Sequence, residues 1–276
     1  MKKIILAAFV SIMGLSLFAY DISAGVSLKG SPKMVTRTDF SIASKFGEYF
    51  RTPSSKYVYK YTSDGKLVES TEMTARDVLL NKVSNSYDGS GNLIEQICVD
   101  ADGAQIWKNV IVYKDGLKVD SSEFSKSGSL KSKTVYEYKD KALVDETYYN
   151  ADGALVWKIV YKYNDKKQLE VEDEYFQDGS LAEERHYSYM DNGNIQSITY
   201  MDSTGSITSK DVFRYDANGL LSEVTTYGPD NRTCVRTFAK FDNKGNLSKI
   251  TVYNIYRKFG TTVNELTDQA EFTYIY

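Results

Sequence analysis

Apolar and polar residues alternate along most of the chain, and short polar turns interrupt the alternation at regular intervals. The clearest stretch is FRYDANGLLSEVTTY, from Phe213 to Tyr227: Tyr215 and Asp216 open a turn, Gly219 closes it and Leu221 begins the return strand. The phrase returns as YVYKYTSDGKL around Tyr61, YEYKDKAL around Tyr138, YKYNDKKQL around Tyr163, YSYMDNGNI around Tyr189 and FDNKGNL at Phe241. Asp and Asn bond to their own backbone in turns, and Gly supplies positive φ. A D-x-x-G phrase between alternating residues therefore predicts a β-hairpin on a type I turn with a glycine bulge.

A second turn type alternates with the first: VDADGAQIW at Val99, YNADGALVW at Tyr149, FQDGSL at Phe176 and YMDSTGSI at Tyr200. Turn glycines recur at steps of about 12 to 14 residues, doubled where a turn has lost its Gly. One repeat is thus about 25 residues, two strands and two turns, in roughly eight copies. The fold class predicted is all-β: a single antiparallel meander of repeated hairpins, about fifteen strands or more. Twist should curl it into a spiral, an open barrel or a closed barrel.

Strict two-residue alternation puts Leu169, Val171, Asp173 and Tyr175 on one face, against Glu170, Glu172 and Glu174. It joins Leu155, Trp157, Ile159, Tyr161 and Tyr163 in the same way, against Lys158 and Lys162. These Leu–Tyr faces are expected to line one concave side. The segment Thr74 to Lys82 fits a short helix or an irregular strand, and residues 42–49 a strand or a short helix.

Composition supports this picture, with 23 Tyr, 18 Gly and 3 Pro among 276 residues. Residues 1–19 read as a signal peptide, with Lys2 and Lys3 before a mostly apolar run to Phe18 and small residues at two cleavage positions. Residues 20–55 read as a leading or capping segment and 56–276 as the hairpin-repeat domain. No Cys follows the apolar run, so a lipid anchor is not expected. Cleavage would move the formal charge from −3 to −5, which argues against nucleic acid as a partner.

The phrases at Tyr138, Tyr163, Tyr189, Tyr215–Asp216–Gly219 and Phe241–Asp242–Gly245 resemble the tyrosine-aspartate (YD, or RHS-type) repeats of bacterial exported proteins. The resemblance covers residues 56–253. It implies a long β-sheet that spirals into a shell at the cell surface. The Asp-Gly hairpins are also similar, more weakly, to MORN-like repeat variants.

Catalytic chemistry is sparse. His186 is the sole histidine and falls on the charged side of its strand. The D-x-D-G fragments at Asp100 and Asn150 lack a Glu at the twelfth position, so turn chemistry outweighs a calcium loop. Cys98 and Cys234 lie repeats apart and read as small strand residues. Carboxylates at Glu69, Glu95, Asp145, Asp173 and Glu223 spread along the array and fit pairing with Arg185 and Lys249 better than an acid–base dyad. No enzyme, metal or cofactor is expected. A concave aromatic strip of Trp107, Trp157, Tyr161, Tyr163, Tyr187 and Tyr189, with Asp173 and Arg185 as polar anchors, is the candidate binding site. Core packing is the competing reading of the same strip. The function expected is a non-enzymatic binding or structural module in the periplasm or on the cell surface, with a glycan, a peptide or another envelope protein as partner. The alternative is an outer-membrane β-barrel, and a glycan-active hydrolase is more distant.

Overall fold

The computed structural model describes residues 28–276; the predicted leader lies outside the described residues. The described chain forms eighteen strands: β1 (Met34–Lys45), β2 (Glu48–Tyr61), β3 (Leu67–Thr74), β4 (Leu79–Tyr87), β5 (Leu93–Asp100), β6 (Gln105–Lys114), β7 (Leu117–Ser125), β8 (Leu130–Lys139), β9 (Ala142–Asn150), β10 (Leu155–Tyr163), β11 (Leu169–Phe176), β12 (Leu181–Tyr189), β13 (Ile195–Asp202), β14 (Ile207–Tyr215), β15 (Leu221–Tyr227), β16 (Thr233–Phe241), β17 (Leu247–Lys258) and β18 (Thr261–Ile275). Each pairs antiparallel with its sequence neighbours, and β1 also pairs with β18, so the meander closes into a barrel. None of the described residues is helical. Thr74 to Lys82 is a turn followed by β4, and residues 42–49 are the tip of the β1–β2 hairpin.

The predicted turn chemistry is realised atom by atom. In the Asp216 turn, the Asp216 carboxylate accepts the backbone N–H groups of Asn218 at 2.8 Å and Leu220 at 2.9 Å, and Gly219 N–H donates to the Asp216 carbonyl at 3.0 Å. Gly219 sits at φ +76°, where a Cβ is disfavoured. Lys167 takes the equivalent position at φ +60° without a glycine.

The tyrosine of the repeated phrase has a separate task. Tyr215 Oη donates to the Ile195 carbonyl at 2.8 Å, Tyr189 to Leu169 at 2.7 Å, Tyr163 to Leu143 at 2.8 Å and Tyr87 to Leu67 at 2.7 Å. Each hydroxyl reaches from the end of one strand to a carbonyl at the start of the strand before it, twenty residues back. The bond thus joins the Tyr of one phrase to the Leu or Ile that ends the preceding phrase, a stitch between neighbouring repeats.

Every sequence-adjacent strand pair carries a register shift. Lys162 pairs with Val171 but Tyr163 with Leu169, so Glu170 is an extra residue. Tyr148 pairs with Trp157 but Tyr149 with Leu155, which leaves Val156 over. Each bulge flips the alternation, because two residues then face one. The single Leu–Tyr face expected from strict alternation therefore divides. Leu169 shares the side of Tyr161, Tyr163 and Trp157, whereas Val171, Asp173 and Tyr175 point to the other.

Closure makes the two sides unequal, since a concave wall crowds its side chains and a convex wall spreads them. The side of Trp157 and Tyr161 also carries the apolar cluster of Ile198, Phe213, Val224, Ala239 and Leu247, with Tyr187, Tyr200, Ile250 and Phe272 packed on it. Burial on this side pushes the Tyr59 and Tyr61 hydroxyls up to about 12. The opposite side presents lysine and arginine tips, such as Lys162 at 56% and Arg214 at 66% side-chain exposure. The first side is the inner wall and the second the outer.

The seam between β1 and β18 is pinned by Asn246, which is 0% exposed. Its Oδ1 accepts the Lys29 N–H at 2.7 Å, and its Nδ2 donates to the Lys29 carbonyl at 3.0 Å and to Tyr276 Oη at 3.0 Å. Gly30, at φ +72°, keeps the chain clear of the Tyr276 ring, which a Cβ there would meet at 3.2 Å. Asn246→Ala should cost about 2–3 kcal/mol, because buried groups lose their partners. Urea unfolding should register the loss, and hydrogen exchange should quicken first in β1 and β18.

Candidate functional site

The inner wall is graded around the barrel. The residue three places after the opening Leu, Ile or Lys of each repeat always points inward. In chain order it is Ser70, Gln96, Ser121, Glu146, Glu172, Ile198, Val224 and Ile250. The wall thus passes from neutral polar through acidic to apolar.

The acidic sector, β8 to β12, is the richest in chemistry. Tyr161 Oη donates to Glu146 Oε2 at 3.0 Å, and Tyr187 Oη to Glu172 Oε2 at 2.9 Å. Arg185 donates to Glu183 at 2.6 Å, to Glu174 at 3.1 Å and to Glu172. Burial by itself disfavours the Arg185 charge, but these carboxylates outweigh it and hold the guanidinium charged. Lys118 Nζ donates to Tyr136 Oη at 2.6 Å and lies over that ring. Burial lowers the Lys118 pKa, and it raises that of Glu146 despite the Tyr161 hydroxyl and the Lys118 charge. Next to this sector Tyr200 Oη donates to Asp211 Oδ2 at 3.1 Å and Thr226 Oγ1 to Asp211 Oδ1 at 2.6 Å. Burial raises the Asp211 pKa as well.

The structure gathers part of the expected strip. Trp157 and Tyr161 on β10 and Arg185 and Tyr187 on β12 share the inner wall on either side of β11, and Trp157 stacks on Tyr148 with centroids 5.2 Å apart and planes 3° from parallel. Tyr163 and Tyr189 lie on the same wall, but at the rim, where their hydroxyls are the inter-repeat stitches. Trp107 is inward on β6, opposite Cys98, four strands and so about 19 Å from Trp157. Asp173 does not belong to the strip. It pairs with Val160 and Glu184 on the outer wall, 2% exposed beneath Lys162 at 2.6 Å, and its Oδ1 has no hydrogen-bond partner. The bulge at Glu170 accounts for the misplacement. Glu146, Glu172 and Glu174 escaped the sequence reading for the same reason, although the place of Glu146 and Glu172 in the three-after-Leu series was there to be read.

The carboxylates Glu69, Glu95, Asp145, Asp173 and Glu223 are all on the outer wall, and Arg185 is not their partner. Glu69 meets Lys60 at 2.7 Å, Glu223 meets Arg236 at 2.6 Å, Glu95 meets Lys108 and Asp145 meets Lys158. Asp120 and Lys133 add another such pair, and Lys249 pairs with Glu271 instead. A belt of ion pairs therefore runs round the outside at mid-strand. His186 is in that wall and contacts Glu184. Cys98 and Cys234 are free thiols.

No family model matches the chain, and no curated protein does. Among solved structures, it is similar to a porin-like protein from Bacteroides uniformis, with TM-score 0.50 and 11% identity over 90% of this chain and 99% of that one. A porin-like protein from Bacteroides vulgatus gives TM-score 0.31 and 12% identity over 88% and 98%. A TcdB2–TccC3 structure gives TM-score 0.28 and 13% identity over 82% of this chain and 16% of that one. Of these, the first alone carries weight, and it bears on the fold: a closed antiparallel β-barrel.

The raised Glu146 and Asp211 carboxyls bind protons more readily folded than unfolded. Their contribution therefore favours the folded state at low pH and is lost as pH rises through their folded values. Glu146→Gln should raise stability at neutral pH relative to the parent and flatten the fall over the range that opens above the ordinary carboxylate value. Urea midpoints across that range test it; equal slopes in the two proteins would contradict the assignment.

Proposed function

We propose that the chain is a non-enzymatic barrel of the bacterial cell envelope that holds an amphipathic small molecule in its lumen. The observation that carries this reading is the graded inner wall. An acidic, tyrosine-rich sector around Glu146, Glu172 and Arg185 adjoins an apolar sector around Ile198, Phe213, Val224 and Ile250. Apolar lining with a few fixed polar groups is the usual make-up of a small-molecule site. The acidic sector suits a head that donates hydrogen bonds or carries positive charge. Export is supported by Lys2, Lys3 and the apolar run after them. We infer a kinship with tyrosine-aspartate repeat proteins from the recurring phrase alone.

A membrane-spanning outer-membrane barrel is the second reading. Closure of all eighteen strands favours it over an open repeat module, as does the likeness to a porin-like protein. The outer wall opposes it. A spanning barrel needs an outward apolar band, and a midplane lysine costs about 2–4 kcal/mol there. This barrel carries Lys82, Lys108, Lys133 and Lys158 outward at mid-strand.

Two measurements test the pair. Fractionation should release the protein with soluble envelope contents; a carbonate-resistant, heat-modifiable species would favour the spanning barrel. In ligand titrations, long-chain alkylamines should quench Trp157 about tenfold more tightly than alkyl carboxylates of equal length, the ratio that about 1.4 kcal/mol of head-group preference supplies. Absence of quenching by either class would defeat the lumen assignment.

A further inference from the structure

Two hairpins that flank the seam extend past the barrel rim, at the end opposite Asn246. β1 and β18 stay paired only to Ser41 and Asp268, whereas β1 and β2 continue to Lys45 and Glu48. Likewise β16 follows β17 only to Val235 opposite Asn254, whereas β17 and β18 continue to Lys258 and Thr261. The result is two adjacent fingers, held together where Tyr49 Oη donates to the Asn264 carbonyl at 3.1 Å.

Both tips read Lys-Phe-Gly: Lys45-Phe46-Gly47 and Lys258-Phe259-Gly260. The phenylalanines are the most exposed large apolar residues described, Phe46 at 106% and Phe259 at 96%. They also sit at φ +55° and +49°, followed by glycines at +81° and +80°. These are two-residue turns whose first position favours Asn, Asp or Gly and disfavours a bulky side chain. An aromatic ring is therefore kept, twice, where it adds strain and packs on nothing. Backbone strain retained at an exposed tip is a pointer to function.

The charge around the rings is mainly positive. Residues 42–51 and 255–264 carry Lys45, Arg51, Arg257 and Lys258 against Glu48, with Arg51 paired to Glu271, in a chain of formal charge −3. At the base of the second finger, an open groove of about 1000 Å³ is lined by Arg214 and Arg236, which pair with Glu223, and by Arg232, which pairs with Asp230. Exposed aromatic tips flanked by cations match a membrane interface bearing anionic headgroups: rings enter the acyl boundary while Lys and Arg remain among the phosphates. A protein groove would give the rings partners but would not call for the Lys45, Arg257 and Lys258 cations beside them.

We propose that the two fingers dock the barrel onto an anionic phospholipid surface, with Phe46 and Phe259 as the inserting residues. The docking is independent of what the lumen holds. The test uses the mature protein and vesicles of phosphatidylcholine with or without phosphatidylglycerol. Cosedimentation should occur with the anionic vesicles and weaken with added salt. The double variant Phe46→Asn/Phe259→Asn should lose about tenfold or more in vesicle affinity, because each ring removed takes apolar burial with it. Its thermal midpoint should be equal or higher, since Asn suits both turns. A single Phe46→Trp reporter should blue-shift on anionic vesicles only. Undiminished vesicle binding by the Asn variant would overturn the proposal. So would absence of binding to anionic vesicles, or tips that instead drive concentration-dependent self-association in sedimentation, which would make a second copy the partner.

Discussion

The structure depends on the pairing of its first strand with its last. A meander of hairpins ends in two open edges, and open edges invite pairing with other chains. Here Met34 to Ser41 meet Ile275 to Asp268 in register, so the barrel wall itself has no open edge. That pair is also the one without a register shift, and the buried Asn246 ties it to the neighbouring turn. Curvature, and with it the difference between a crowded inner wall and a spread outer one, follows from this closure. The tyrosine stitches act inside the frame that closure creates, passing each repeat's position to the next.

Turn chemistry and strand rhythm are legible in the sequence because they are local. An Asp that accepts two backbone N–H groups and a Gly at positive φ leave a fixed phrase, and the phrase recurs at the repeat length. Which face a residue occupies is less legible, because one extra residue per strand pair reverses the parity. Trp157 and Asp173 illustrate the point. Each sits in a plausible alternating run, and their strands are adjacent, yet Glu170 turns Asp173 outward while Trp157 stays in. Closure was legible only as one of three outcomes, since nothing in β1 alone announces β18 as its partner.

The site was legible to the same extent. The aromatic half of the wall, Trp157, Tyr161 and Tyr187, stands out by residue type. The carboxylates that bond those tyrosines do not, because the bulges hide that Glu146 and Glu172 share their face. Residue type misled in one respect as well. Tyr163 and Tyr189 look like stacking surface, but their hydroxyls serve the backbone of the preceding repeat.

The two walls put different demands on charge. Outside, the Lys–Asp and Lys–Glu pairs are half exposed, and pairs of that kind add little stability, about 0–1 kcal/mol each. Their consequence is a belt of charge at mid-strand on the convex wall. Inside, charge gathers in the sector of β8 to β12, where it is bonded to tyrosine hydroxyls, with Arg37, Asp39 and Glu72 elsewhere on the wall, while other repeats supply Ile198, Val224 and Ile250. A barrel designed only to be stable would spread apolar residues evenly around its concave wall. Here a single inward position is varied from repeat to repeat, on a scaffold whose turns, stitches and outer pairs scarcely change. Repetition supplies the cylinder, and the departures from repetition supply its chemistry, both in the graded lumen and in the two outsized hairpins at its rim.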